Sequence, residues 1–366
     1  MSPDNGSLSE ASITRITQPT SQVKVLSLHL EPGSQHLSFH PGQWVDLHVP
    51  GLQRAGGYSP TSTPAQLQSS GLVELAVKRS QHPVATWLHS QAAVGDKVGL
   101  AVGGSCYLEP HLLRVPTVRL LFIAGGIGIT PLLSMMAHVT ELCQTHLPPS
   151  AGSATALTLA QSLPSPMPEG SLAAQPGGPG SPMAAQMDVV PLSDQAVGAG
   201  WVRSVPAPEH PLLPPSTASP APGQQHEPGG LRDVRMTLMY SASGQDGFAL
   251  LPQVLQLRAR LPPGTLQLQL FQTGSGALAH EPAPASAPAM QLYPRCSGPA
   301  QPMKVVQRRM AEEDVVEAFT TMQASGCQGG GRSTVHVFVS GPMLADVLSW
   351  LTPIAGKECV HAEKWW

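Results

Sequence analysis

The run VRLLFIAGGIGITPLLSMMAHV, residues 118 to 139, places Gly125, Gly126 and Gly128 between a branched apolar stretch and the pair Thr130-Pro131. Residues of these types in this order read as a strand, a glycine turn and a helix, with Thr130 as the capping residue and Pro131 at the first helical position. A helix that opens on a glycine turn directs unpaired N–H groups, and the positive end of its dipole, at the space before it. Phosphates bind there. Glycine serves because a side chain would hold the phosphate off the backbone, and because some of these positions need positive φ. Gly125, Gly126, Gly128, Ile129, Thr130 and Pro131 are therefore the candidate dinucleotide loop. Two other readings compete. One is a membrane span, for which the length suffices but which the glycines and the Thr-Pro restart oppose; the other is a turn in an α/β core that holds no ligand.

Near the other end, STVHVFVSGPMLADVLSWL repeats the logic: an apolar strand, a turn at Ser340-Gly341-Pro342-Met343 and an amphipathic helix. Two such turns at the strand ends of one sheet form a single crevice, the usual place for a nucleotide in an open α/β sheet. The elements that must position them follow from the pattern around them. From Val115 onward VRMTLMYSASGQDGFALLPQVLQL reads as a strand and a helix, TLQLQLFQTG as a strand and AEEDVVEAF as a helix. Upstream, residues 11 to 107 read as short strands, among them SQVKVLSLHL, QWVDLHVP and GLVELAVKR, which alternate apolar and polar positions between PG, GG and GD turns. That is the pattern of a small antiparallel barrel. The expected organisation is an antiparallel β-barrel over 11–113 and an α/β domain with a parallel sheet over 114–366.

Two stretches interrupt the second domain. Residues 146 to 230 are proline-rich, with Arg203 their one basic residue and Trp201 their one aromatic. Such a segment buries too little apolar surface to offset the entropy of ordering it. Residues 274 to 300 are a shorter stretch of the same kind, and both read as disordered insertions. The formal net charge of −3 comes with no basic tract, which gives a nucleic-acid partner no support. Cys106, Cys143, Cys296, Cys327 and Cys359 are scattered, lack the close spacing of zinc or iron–sulfur sites, and suit a reducing compartment. His82 and His89 have no partner at metal-ligand spacing, so no metal is expected and any redox chemistry must use an organic or dissociable cofactor. His40-Pro41-Gly42 reads as a turn before a strand, and Trp87 as a core residue. The start, MSPDNGSLSEASITR, has no apolar signal core. The expectation is a protein of the cytoplasm or mitochondrial matrix, with no clear targeting peptide and no membrane span.

A barrel carrying PGQWVDL, GGYSPTS, ELAVKR and VGGSCYLEP, followed by IAGGIGITPLL and a late SGPM turn, resembles the ferredoxin-reductase-type flavoproteins. These include the ferredoxin:NADP reductases and the cytochrome b-five reductases. The resemblance covers the chain apart from the two insertions and the extreme N-terminus. It implies a barrel that holds a flavin, FAD with FMN as the alternative, and an α/β domain that binds NAD(P)H. A hydride would pass from the nicotinamide to the flavin, and electrons would leave to an acceptor that the sequence does not name.

The same resemblance implies a set of site residues. Tyr58, Ser59 and Ser62 stand at the positions of a YS..S motif that touches the flavin near its ribityl chain and N5, and Val77 and Lys78 lie along the ring. Ser59 and Ser340 are the candidate catalytic groups, Ser340 standing where related proteins present a cysteine to the nicotinamide. Gly341, Pro342 and Met343 complete the nicotinamide turn. Trp365 and Trp366, in the closing EKWW, stand where a C-terminal aromatic covers the flavin. Three departures are visible. Gly56 replaces the usual arginine two residues before the tyrosine, leaving Arg54 to reach the flavin pyrophosphate only through a bulged loop. The second pyrophosphate motif reads HPVATWL, with Ala85 at the expected hydroxyl and Thr86 beside it. In MYSASGQDG, Ser241 and Ser243 come with no Arg or Lys, and Asp246 would repel an extra phosphate, which implies NADH over NADPH. A nucleotide-binding regulatory protein that keeps the fold and has lost flavin and catalysis is the alternative function.

Overall fold

The computed structural model describes residues 8–33, 37–146, 233–244, 246–274, 303–325 and 333–362. Both expected insertions lie almost wholly outside the described residues, as do Trp365 and Trp366.

The first part of the chain forms one antiparallel sheet from β1 (Ser9–Thr20), β2 (Val23–Leu30), β3 (Trp44–His48), β4 (Gly56–Tyr58), β5 (Leu72–Lys78) and β6 (Lys97–Gly103). The strand order is β4-β3-β6-β1-β2-β5. Its edge strands are β4 and β5, and Pro60, just past β4, bridges Leu75 of β5, so the sheet closes into the expected barrel. Period-two alternation fills the interior: Val73, Leu75 and Val77 of β5 join Ile13, Leu26, Leu28, Val45 and Leu47 in one buried cluster. Two helices stand where the sequence pattern had suggested strands and turns alone. The first, α1 (Pro64–Ser70), is set by a capping box in which Thr63 Oγ1 accepts from the Gln66 amide at 3.2 Å and Gln66 Oε1 accepts from the Thr63 amide at 2.9 Å. It buries only Leu67, too little to leave a helical period in the sequence. The second, α2 (Pro83–Ser90), puts Val84, Ala85 and Leu88 into the barrel core, with Trp87 packed against it.

The second sheet is parallel throughout: β7 (Thr117–Gly125), β8 (Asp233–Ser243), β9 (Leu266–Thr273), β10 (Lys304–Val306), β11 (His336–Ser340) and β12 (Val360–Ala362), in the order β10-β9-β8-β7-β11-β12. Residues of α3 (Ile129–His146) and α4 (Leu251–Ala259) share a core with one face, and residues of α5 (Glu312–Ala324) and α6 (Leu344–Ala355) with the other. Along β7, Leu120, Phe122 and Ala124 face the first core while Leu121 and Ile123 face the second. A strand covered on both faces has no polar side. That is why the run from 118 is almost uncharged, and no helix among the described residues is long and apolar enough to cross a membrane.

The chain leaves β7 toward β8, β9 and β10 on one side and later returns to its other side with β11. The strand order therefore reverses between β7 and β11, the position at which an open α/β sheet usually holds its ligand. Gly125 and Ser340 end those two strands. Val23, Val25 and Ala76 of the barrel belong to the same core as α3 and α4, so the barrel's outer face is packed onto the α/β layers. At the opposite end of β7, Arg119 is fully buried and closes the sheet. Its guanidinium donates to the Ser325 carbonyl at 2.6 and 3.0 Å, to the Asp233 carbonyl at 3.1 Å and to Asp233 Oδ2 at 2.5 Å.

Candidate functional site

The two turns that the sequence singled out lie against each other, and their glycines have different tasks. A Cβ added to Gly128 would lie 2.9 Å from the Cα and N of Gly341, and one added to Gly341, at φ +116°, would lie 2.8 Å from the backbone of Gly125. A Cβ on Gly125 would meet the Pro342 ring at 2.7 Å. These three glycines let two backbones touch. The expectation that they clear space for a phosphate is corrected for Gly125 and Gly128, where the space is already taken by the neighbouring turn. Gly126 is the exception: its φ is +53° and nothing stands within 4 Å of its would-be Cβ. It is the open member of the loop.

The helix begins two residues earlier than the capping pattern implied. Ile129 opens α3 with its side chain in the core, and its amide turns back to the carbonyls of Gly126 and Ile127. Thr130 is not an N-cap acceptor; its hydroxyl donates to the Ile127 carbonyl at 3.1 Å and so braces the turn from inside. Pro131 has no N–H to offer, and its first-turn position is compatible with its fixed φ. On the facing turn, Ser340 is buried and its Oγ has no hydrogen-bond partner. Pro342 is exposed, and Met343 packs partly into the core of α5 and α6.

On the barrel side, Ser59 is likewise buried with an unpartnered Oγ. Among the described residues, two of the eight buried side-chain atoms without a partner are thus the hydroxyls the sequence had marked as catalytic candidates. Tyr58 folds its ring over Gly56: a Cβ there would lie 2.7 to 3.0 Å from the ring's Cε2, hydroxyl and Cζ. Burial pushes the Tyr58 phenol well above its usual value, so it stays protonated and can donate. Ser62 is already engaged, its Oγ accepting from the Glu74 amide at 2.9 Å. Val77 does not present its side chain to a ligand: that side chain is in the barrel core, and its carbonyl is bound by His89 Nε2 at 3.0 Å. Lys78, the last residue of β5, is exposed.

Helix α2 is fastened at its C-terminal end, where Lys24 Nζ donates to the carbonyls of Leu88 and His89 at 3.0 and 3.2 Å. Its N-terminal end carries no side-chain cap, so the amides of Val84 and Ala85 lack helical partners. The Ala85 methyl is buried in the barrel, which limits this residue to its backbone N–H; the Thr86 hydroxyl is exposed and donates to the Ser80 carbonyl at 3.3 Å. His82 precedes the helix with a buried, unpartnered Nδ1. Burial, and then the positive charge of Arg54, hold this imidazole below its usual value. Arg54 itself is exposed on the loop before β4.

The sequence reading missed the residues that join the two halves. Ser134 Oγ, on α3, donates to the Ser62 carbonyl at 2.7 Å, and Thr63 Oγ1 donates to Glu141 Oε1, also on α3, at 2.9 Å. Burial raises Glu141 toward the protonated form, opposed by the Thr63 hydrogen bond and by Arg260. The helix that opens at the first glycine turn is therefore bolted to the loop that follows Ser59. A serine on an otherwise apolar helical face, as in TPLLSMM, was the available signal. Among the described residues, no group of three or more His, Cys, Asp or Glu side chains is arranged to hold a metal ion.

A closed antiparallel barrel packed on a parallel sheet, with paired glycine turns at the strand-order reversal, is the architecture of the ferredoxin-reductase and cytochrome b5 reductase type. The chain superposes on the CS-b5R domains of human Ncb5or in its NAD+ form with a TM-score of 0.53 at 12% identity, over 99% of this chain and 71% of that one. A ferredoxin reductase of carbazole 1,9a-dioxygenase gives a TM-score of 0.51 at 11% identity, over 98% of this chain and 70% of that one. In sequence, the chain is similar to oxidoreductase NAD-binding domain-containing protein 1 of Xenopus tropicalis, 40% identical over 139 residues, which are 38% of this chain and 43% of the relative. The match thus spans less than half the length of that relative. No family model matches the chain.

Proposed function

We propose that the protein is an NADH-dependent flavin oxidoreductase, passing a hydride from the nicotinamide to a flavin held by the barrel and electrons onward to an acceptor. The observation that carries this reading is the pair of buried, unpartnered hydroxyls, Ser59 at the end of β4 and Ser340 at the end of β11. A buried polar group without a partner costs about 1–3 kcal/mol. Ligands that supply the missing partners would recover it. The fold of its structural neighbours and the name of its relative support the same reading.

The residues fit the two cofactors as follows. A bound flavin supplies the capacity to take a hydride as an electron pair and release electrons singly. Ser59 would donate to the edge of its ring, and the protonated Tyr58 phenol to the ribityl hydroxyls. Arg54, with the free amides at the start of α2, would hold the phosphate. His82 stays neutral at physiological pH and adds no competing charge. Gly126 admits the dinucleotide phosphates against the turn, while Ser340 offers its hydroxyl to the nicotinamide. The bolts from Ser134 and Glu141 fix the spacing between the two half-sites. The purified full chain should show the visible bands of a flavin, and anaerobic NADH should bleach them at lower concentrations than NADPH. Ser59→Ala should loosen the flavin about fivefold, the worth of one neutral hydrogen bond. A colourless protein that takes up neither FAD nor FMN on titration would sink the proposal.

A second reading, a nucleotide-binding regulatory protein without flavin, is favoured by Gly56, whose side-chain space is filled by the Tyr58 ring. The two readings agree that the lost arginine cannot simply be put back. Gly56→Arg must displace Tyr58, so it should reduce flavin uptake several-fold rather than raise it; a gain in affinity would show that the ring yields easily.

A further inference from the structure

His336 and His361 lie far from the glycine turns in the strand direction of β11, and no step above uses them. They stand on adjacent parallel strands, with His336 Nδ1 and His361 Nε2 3.3 Å apart. The His361 ring is stacked on Phe338, its register partner on β11, at 4.6 Å between centroids and 15° between planes. Phe338 is fully buried in the core shared with α3 and α4. His361 thus covers the edge of that core, and β12, only three residues long, is what carries it.

We propose that this imidazole pair is a pH-sensitive latch on the edge strand: the neutral pair locks β12 to β11, and acidification releases it. The contact needs one nitrogen to carry a proton and the other to offer a lone pair. With both rings charged, two N–H groups point at each other and two like charges adjoin. Among the described residues, the groups that face the pair are few. They are the two histidines themselves, with Glu109 and His111 from the connection that leads from the barrel to β7. Glu109 and His111 are themselves 2.9 Å apart, so the carboxylate that could offset a second charge is shared with a third imidazole.

Both rings are held below the usual histidine value, by burial first. For His336 the next cause is His361; for His361, Glu109 opposes the shift and His111 adds to it. A histidine depressed in the folded state binds its proton more readily once released. The contribution of the latch is therefore complete above the ordinary histidine value and is lost as pH falls below it. Beyond its three register pairs, this short edge strand is held by Val360 and Ala362, which pack against the core of α5 and α6, so the latch acts on top of that packing.

Amide exchange of the full chain tests this, with rates corrected for the intrinsic effect of pH. Protection of Val360–Ala362 should fall about tenfold or more between roughly pH 7.5 and pH 5.5, while that of β7 stays within a factor of two. His361→Phe keeps a ring on Phe338 and removes the titration, so β12 should then be equally protected at both values. Should that variant not fold, His336→Gln, whose amide can still donate to His361 and carries no charge, should lessen the acid loss of protection. Unchanged protection of β12 in the natural chain, or an undiminished acid loss in the folded variants, overturns the latch.

Discussion

A chain carrying Gly128→Val is expected to melt roughly 10 °C below the natural protein, and not merely to bind NADH less well. The Cβ alone would stand 2.9 Å from the backbone of Gly341 and the carbonyl carbon of Ser340. These are backbone atoms, so no flexible side chain can give way. Valine adds two methyl groups to a gap that does not accept one. The turns after β7 and β11 would have to part, and with them the pairing that runs from His336–Leu120 to Ser340–Ala124. Gly126→Ala is the matched comparison. Its Cβ meets nothing, and the cost is the strain of an alanine at φ +53°, about 1 kcal/mol. That variant should melt within a few degrees of the natural protein and lose nucleotide affinity if the open position admits phosphate. Thermal melts of the two variants decide the matter: a Gly128→Val protein that melts normally refutes the turn-to-turn account.

Arg119→Met is expected to cost about 3 kcal/mol, or roughly 6–12 °C in melting temperature, although the residue lies at the end of the sheet away from the turns. Methionine matches much of the volume and supplies none of the donors. The carbonyls of Ser325 and Asp233 cannot be mutated away to match, so their hydrogen bonds are simply lost. The Asp233 carboxylate is 43% exposed and can turn to water or to Arg235, which keeps the cost below that of stranding a buried charge. Urea unfolding of the variant measures the difference directly. A change below about 1 kcal/mol would mean that water replaces the guanidinium. Binding of nucleotide by the folded fraction should be unaffected.

The strands of both sheets were legible wherever one face met water and the other a core, as in GLVELAVKR, because period-two alternation is written in residue type. The unbroken apolar run at β7 was legible for the opposite reason, burial on both faces. Short elements were not. β4, β10 and β12 have three residues each, and α1 buries a single leucine, so neither leaves a period to detect. The two glycine turns announced themselves through glycine and proline. What the glycines do was read too simply, since a sequence cannot tell a space kept for a ligand from a space kept for another turn.

By itself the sequence determined the order of the elements, the antiparallel-then-parallel architecture and the two turns that end β7 and β11, because these depend on local residue type and spacing. Only the tertiary structure decided which atoms face one another across distant stretches. It set Gly128 against Gly341, laid Tyr58 over Gly56, bolted Ser134 and Glu141 to the loop behind Ser59, and left the hydroxyls of Ser59 and Ser340 without partners. Such contacts join residues tens or hundreds of positions apart. They arise when barrel closure and strand-order reversal bring those residues together, and no local pattern in the chain encodes the distance between them.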